Sequence, residues 1–132
     1  MCQKTACDNG QHWAKLFSFC IGRQYDSGVC FFEIFGHSIG NGSKVSGFIG
    51  GYSQEASNPY IWKSANTLNG KSLYYNKEVQ SDGNALINVY VPTFTDNYMW
   101  WELNLSSSKD LIVYNSPDLI TDVSGLIAFI TS

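Results

Sequence analysis

Short segments in which apolar and polar residues alternate account for most of the chain. The clearest are residues 13–19, 29–35, 85–91 and 98–105, where aromatic and β-branched side chains recur at every second position. A period of two places alternate side chains on opposite faces of a β-sheet. Glycine, asparagine, serine and aspartate separate the segments, as turns require. The pattern predicts about nine short strands, near residues 12–21, 29–36, 44–52, 59–64, 72–79, 84–92, 98–105, 109–114 and 124–131.

The spacing of these strands favours one fold class. Short strands that follow one another without intervening helices are typical of an antiparallel β-sandwich of the jelly-roll type, not of a parallel βαβ fold. Asn69-Gly70 and Asp82-Gly83 predict tight turns, because both positions of each pair tolerate positive φ. A length of 132 residues suits a single domain. We assign residues 12–132 to the sandwich and residues 1–11 to an N-terminal extension or link.

The composition shows a surplus of large rings. Aromatic residues make up 15 % of the chain and charged residues only 14 %, with a net charge of −3. We therefore expect some rings to lie at a ligand site or a subunit interface instead of the core. The basic residues are spread singly, which disfavours nucleic acid and anionic membrane as partners. No apolar stretch approaches the ~20 residues that cross a bilayer, so we expect a soluble domain without membrane insertion.

Four cysteines lie in the first quarter of the chain. If residues 17–21 and 29–35 pair as a hairpin, Cys20 and Cys30 face one another; the alternative is two reduced, half-buried thiols. Cys2 and Cys7 could form half of a zinc site, but no second pair of ligands has suitable spacing. The sequence therefore leaves the disulfide open and disfavours zinc.

No motif for catalysis or for a cofactor is present. His12 and His37 have no partner at a ligand spacing, and the glycine-rich segment Gly47–Tyr52 is not followed by the helix that a phosphate-binding loop needs. Asp96 and Glu102 are near enough in sequence to supply the two carboxylates of a glycosidase. A carbohydrate-active enzyme is therefore a third possibility, while the prediction is a protein without enzymatic activity or cofactor.

A group of rings, amides and carboxylates suits sugar recognition, because flat rings stack on pyranose faces and polar side chains bind hydroxyl groups. Around Trp100, the more apolar alternating set is Met99, Trp101, Leu103 and Leu105, which predicts that these side chains point inward. Tyr98 and Trp100 then point outward. The predicted ligand site consists of Asp96, Asn97, Tyr98, Trp100, Tyr60 and Trp62.

Three segments carry a resemblance to a known family. Trp13–Phe19 fits a W-x-K-L/I-x-x-F strand that starts a domain, Gly47–Tyr52 lies in the middle, and Ile87–Tyr98 looks like a v-Y-v-x-l-P-x-y-t strand before a closing hairpin. In this order, over about residues 12–115, they resemble the C-terminal receptor-binding head domains of tailed-bacteriophage tail fibres.

The resemblance implies a homotrimeric β-sandwich at the distal end of a virion tail fibre, which binds a host surface glycan or outer-surface protein. A trimer would bury surplus rings, and linked sites would strengthen weak individual binding. The alternative is a secreted lectin-like or matrix module with a Cys20–Cys30 disulfide. Asn41 and Asn104, each in an Asn-x-Ser sequence, would then be glycosylation sites.

Overall fold

Two antiparallel sheets are present in the computed structural model, which describes residues 2–6, 10–54, 58–95 and 98–130 and places eleven strands within them. Sheet A contains, in spatial order, β1 (Cys2–Ala6), β8 (Tyr98–Ser107), β3 (Asp26–His37), β4 (Gly42–Ser53) and β5 (Tyr60–Ala65). Sheet B contains β10 (Leu119–Ile120), β2 (Trp13–Ile21), β7 (Ala85–Pro92), β6 (Tyr74–Val79) and β11 (Ile127–Ala128), while β9 (Leu111–Val113) also pairs with β2.

The predicted fold class, an antiparallel β-sandwich, is confirmed. Most strands begin and end within three residues of the predicted positions, whereas the predicted strand 124–131 is reduced to β11. The sequence pattern missed β1 and β10. Because β1 pairs with β8, with Thr5 opposite Met99, sheet A includes residues that we had assigned to an extension before the domain.

Phenylalanine rings join the two sheets in the core. Phe17 of β2 lies 5.9 Å from Phe32 of β3, and Phe32 lies 6.1 Å from Phe129, measured between ring centroids. A bulge in β2 between Lys15 and Phe17 shifts the register against β7. As a result Leu16 and Phe17, although adjacent in sequence, are both completely buried. The bulge thus adds one apolar side chain to the core.

The glycines of β4 permit close contact between strands. A Cβ atom at Gly50 would lie 2.5 Å from the carbonyl oxygen of Gly28 on β3. At Gly47 and Gly51 it would overlap carbonyl oxygens of β5. The glycine-rich segment is therefore a site of close backbone approach in a central strand. The two predicted turns are also confirmed, because φ is positive at Asn69 (53°), Gly70 (77°) and Gly83 (88°).

Of the two alternatives for Cys20 and Cys30, the hairpin that would make them face one another is wrong. β2 lies in sheet B and β3 in sheet A, so the two strands do not pair. Cys20 is exposed, Cys30 is buried between the sheets, and both are free thiols. Burial raises the pKa of Cys30 to about 11. In this fold Cys20 and Cys30 do not face one another, so the Cys20–Cys30 disulfide of the secreted alternative does not form.

An ion pair connects the start of β3 to the segment between β8 and β9 at one end of the sandwich. Lys109 Nζ lies 2.7 Å and 2.6 Å from the two carboxylate oxygens of Asp26, and the backbone N–H of Gly22 donates to Oδ2 at 2.6 Å. The aliphatic stem of Lys109 crosses Gly28, where a Cβ atom would lie 2.6 Å from Lys109 Cγ. The hydrogen bond from Lys109, followed by that from Gly22, lowers the pKa of the Asp26 carboxyl below its ordinary value of 3.8.

This shift predicts how acid affects stability. Because the folded pKa of Asp26 is depressed, its contribution is present above the unfolded pKa and is lost as the pH falls through the folded pKa. We expect Asp26→Asn to be less stable than the wild type near neutral pH and to lose less further stability on acidification. Urea unfolding between about pH 2 and pH 6 measures this. Asp110→Asn, which removes a neighbouring exposed carboxylate, is the control. Parallel pH profiles for Asp26→Asn and the wild type would contradict the assignment.

Candidate functional site

The outer face of sheet A carries most of the exposed rings. On β3, Cys30, Phe32 and Ile34 are buried, so the alternate side chains of that strand point away from sheet B. The backbone pairings of β8, β4 and β5 extend this face across the sheet. We use "outer face of sheet A" for the following side chains: Phe31, Glu33, Phe35, His37, Lys44, Ser46, Phe48, Tyr52, Tyr60, Trp62, Ser64, Tyr98, Trp100, Glu102, Asn104 and Ser106.

Polar side chains occupy the centre of this face. Asn104 Nδ2 donates a hydrogen bond to Glu33 Oε1 at 3.2 Å, and Lys44 Nζ lies 3.7 Å from Glu33 Oε2. The strand register produces this arrangement, because Glu33 of β3 lies between Ser46 of β4 and Asn104 of β8. The next row across the sheet contains Lys44, Phe35 and Glu102. Three charged groups and one amide therefore lie within two adjacent rows.

A shallow groove follows β3 through this polar centre. One depression of about 340 Å³ is bounded by Glu33, Phe35, Lys44, Glu102, Leu103 and Asn104. A second of about 150 Å³ is bounded by Phe31, Phe32, Glu33, Asn104 and Ser106. The two share Glu33 and Asn104 and so adjoin one another. We call the pair the β3 groove.

Exposed rings stand at both ends of the β3 groove. At one end Trp100, His37 and Phe35 form a row of nearly parallel rings, with centroid distances of 6.0 Å and 5.4 Å and interplanar angles of 19° and 29°. At the other end Phe31 lies 6.1 Å from Phe48. Phe35 is 41 % exposed and Phe31 is 55 % exposed. The groove is therefore polar in the middle and apolar at its ends.

The predicted orientations around Trp100 are confirmed. Met99 and Trp101 are completely buried, and Leu103 and Leu105 pack against the core. Tyr98, at 46 % exposure, points outward. Asp96 and Asn97 lie outside the described residues.

The structure places Tyr60 and Trp62 on the same face as Trp100, but far from it. Trp62 of β5 pairs with Gly50 of β4. Trp100 pairs with His37, and His37 pairs with Gly42 of β4. Gly42 and Gly50 are eight positions apart on β4, which corresponds to about 26 Å along the strand. The predicted residues therefore occupy opposite corners of the face. The predicted site did not include the side chains between them, which are Phe31, Glu33, Phe35, Lys44 and Asn104.

Sheet B contains a second polar cluster, whose side chains form hydrogen bonds with one another. Ser18 Oγ donates to Asn88 Oδ1 at 2.5 Å, and Asn88 Nδ2 donates to Asn76 Oδ1 at 2.8 Å and Glu78 Oε1 at 2.6 Å. Because the single hydroxyl proton of Ser18 is used, the Tyr114 hydroxyl is the donor in its 2.9 Å contact with Ser18. Ser18 and Asn88 are completely buried. Their hydrogen bonds are made within the chain, so this cluster is structural.

Other kinds of site find no support in the described ranges. Among these residues, no three histidine, cysteine or carboxylate side chains come together as metal ligands. Cys7, half of the weak zinc motif, is not among them. The part of the chain that the structure describes also contains no helix long and apolar enough to cross a membrane.

Comparisons with known proteins give a likeness in fold. No protein-family model matches the chain, and no curated protein sequence matches it significantly. A solved structure of WceF from Pantoea stewartii, described as a glycan biofilm modifying enzyme with a bacteriophage tailspike-like parallel β-helix fold, aligns with 96 % of this chain at a TM-score of 0.51 and 11 % identity. The chain spans 21 % of that protein's length. At this identity the likeness shows the fold alone: this antiparallel sandwich is similar to about one fifth of a tailspike-like protein.

Proposed function

We propose that this chain is a non-enzymatic glycan-binding domain of a bacteriophage tail fibre, which attaches the virion to the surface of its bacterial host. The observation that carries the proposal is the β3 groove, in which hydrogen-bonding side chains lie between exposed aromatic rings. A pyranose has the complementary chemistry, because its C–H groups form apolar faces and its hydroxyl groups project from the edges. Sites for small ligands commonly combine apolar walls with a few well-placed polar groups.

The surface properties of the groove favour ligand contact. Phe31 and Phe35 present large apolar rings to solvent beside an ion pair, and contiguous exposed rings on a soluble domain commonly mark an interaction site. The side chains project from strands whose backbones are hydrogen-bonded on both sides. A ligand therefore meets a preformed surface, and little ordering of the protein opposes binding.

Two lines of similarity support the phage assignment. The sequence segments around Trp13, Gly47 and Tyr90 resemble those of tail-fibre head domains, and the fold is similar to part of a protein described as tailspike-like and glycan-modifying. We propose binding without hydrolysis for this chain, and a homotrimer at the distal end of the fibre. A trimer would bury some of the exposed apolar side chains and would raise the avidity of weak individual sites.

Substitution of Phe35 tests the proposal. We expect Phe35→Ala to weaken binding of the purified, fluorescently labelled domain to susceptible bacteria by about tenfold or more, because one stacking surface of the groove is lost. The susceptible strain is found by screening a panel of bacteria with the wild-type domain. Trp100→Ala should act in the same direction.

Ile112→Ala is the matched control, because Ile112 is also exposed, at 48 %, but lies on β9 of sheet B. The melting temperature and the mass from light scattering are measured on every sample, since dissociation of subunits would also weaken binding. Equal binding by Phe35→Ala and the wild type, or release of oligosaccharides from the host polysaccharide, would contradict the proposal.

A further inference from the structure

The charges of the β3 groove bear on the class of glycan it would take. We infer that the groove takes an uncharged glycan chain, laid along β3, and discriminates against polysaccharides that carry carboxylate groups. This inference rests on the glycan-binding function proposed above and goes beyond it by naming the chemical class and the direction of the ligand.

The groove carries more negative than positive charge. Its charged side chains are Glu33, Glu102 and Lys44, which sum to −1 (two carboxylates and one ammonium). Among the described side chains, Lys44 is the single lysine or arginine on the outer face of sheet A. Its ammonium lies 3.7 Å from Glu33 and is therefore already compensated. Among the described side chains that line the groove, none is an unengaged cation for an anionic ligand.

These charges separate acidic from neutral ligands. A uronic or sialic acid in the groove would bring a third carboxylate beside Glu33 and Glu102, and like charges repel one another most strongly at short distance. A hydroxyl group meets no such penalty, since it donates to a carboxylate oxygen and accepts from an N–H group. Asn104 Nδ2 and Lys44 Nζ supply donors next to the Glu33 carboxylate. Hydroxyl-rich, uncharged sugars therefore match the groove.

The geometry gives the ligand a direction. Phe31 and Phe35 are four residues apart on β3, a distance of about 13 Å, which is longer than a single pyranose ring. The two depressions meet at Glu33 and Asn104, midway between these rings. A ligand that contacts both rings must therefore be an oligosaccharide or longer chain with its axis along β3.

The test is an array of purified bacterial polysaccharides in three classes, which are neutral, carboxylate-bearing and free-amine-bearing. We expect the wild-type domain to bind neutral members at least about tenfold more tightly than carboxylate-bearing members at low salt. The double variant Glu33→Gln, Glu102→Gln should reduce this ratio to about threefold or less while the melting temperature stays close to that of the wild type. Asp110→Asn, an exposed acid outside the groove, should leave the ratio unchanged.

The direction of the bound glycan along β3 is tested with neutral oligosaccharides of increasing length. Affinity should rise until the ligand reaches from Phe35 to Phe31 and then level off, and Phe31→Ala should abolish the gain from the added sugars. Tighter binding of either charged class, or an unchanged ratio in the double variant, would overturn the inference and leave glycan binding itself intact. Absence of binding to every polysaccharide, together with absence of binding to bacteria, would overturn the proposed function as well.

Discussion

Replacing Trp101 with alanine should lower the free energy of unfolding by about 3–5 kcal/mol, whereas replacing its neighbour Trp100 should cost about 1 kcal/mol or less. The Trp101 side chain is completely buried, and its indole N–H donates to Thr5 Oγ1 at 2.9 Å. The ring lies over Gly36, where a Cβ atom would be 2.9 Å from the indole. Alanine would leave a cavity in the core and remove a side-chain hydrogen bond between β8 and the edge strand β1.

Urea unfolding of the two single variants measures this difference. The comparison is well controlled, because both substitutions remove the same side chain from adjacent positions of one strand. The outward position of Trp100, beside His37, predicts that its loss affects ligand binding more than stability. Similar losses of stability for the two variants would contradict the assigned orientation of β8. A large loss for Trp100→Ala alone would show that its ring is structural.

Replacing Asn88 with alanine should cost about 1–3 kcal/mol, because the network loses its central member and the completely buried Ser18 loses its acceptor. Asn88 is completely buried and receives or donates hydrogen bonds with Ser18, Asn76 and Glu78. The network connects three strands of sheet B at one level, since Ser18, Asn88 and Asn76 are aligned in register.

Asn104→Ala is the matched comparison, because Asn104 is exposed and its amide donates to Glu33 on the outer face of sheet A. Its removal should change the free energy of unfolding by about 0.5 kcal/mol or less. Thermal or urea unfolding of both variants distinguishes the two asparagines. If Asn88→Ala were no more destabilising than Asn104→Ala, the network on sheet B would contribute nothing beyond a surface hydrogen bond.

Strand positions followed from the sequence because they depend on local alternation. The turns at Asn69-Gly70 and Asp82-Gly83 could also be predicted, since positive φ restricts the residue types that fit. The assignment of strands to one sheet or the other could not be predicted, because residues 22–25 have ordinary turn composition and yet connect different sheets. This single non-local feature explains why the sequence could not exclude a hairpin between β2 and β3 with Cys20 facing Cys30.

The candidate site was predicted only in part, for a similar reason. Met99, Trp101, Leu103 and Leu105 form a clearly apolar set, so the orientation of β8 could be read from its sequence. Phenylalanine occurs in both alternating sets of β3, at Phe31 and at Phe32, so hydrophobicity alone does not identify its outward side. The grouping of Glu33 with Asn104 and Lys44 depends on strand register, which joins residues far apart in the chain.

The glycines of β4 have a consequence for how the domain can evolve. At Gly47, Gly50 and Gly51 any side chain would collide with a neighbouring backbone, so these positions require glycine. Exposed positions on β3, β5 and β8 carry no such constraint. If the outer face of sheet A binds glycans as proposed, its specificity would change through single substitutions on strands whose backbone positions stay the same. A library built to redirect binding should therefore randomise outward residues of β3 and β8 and keep the three glycines constant.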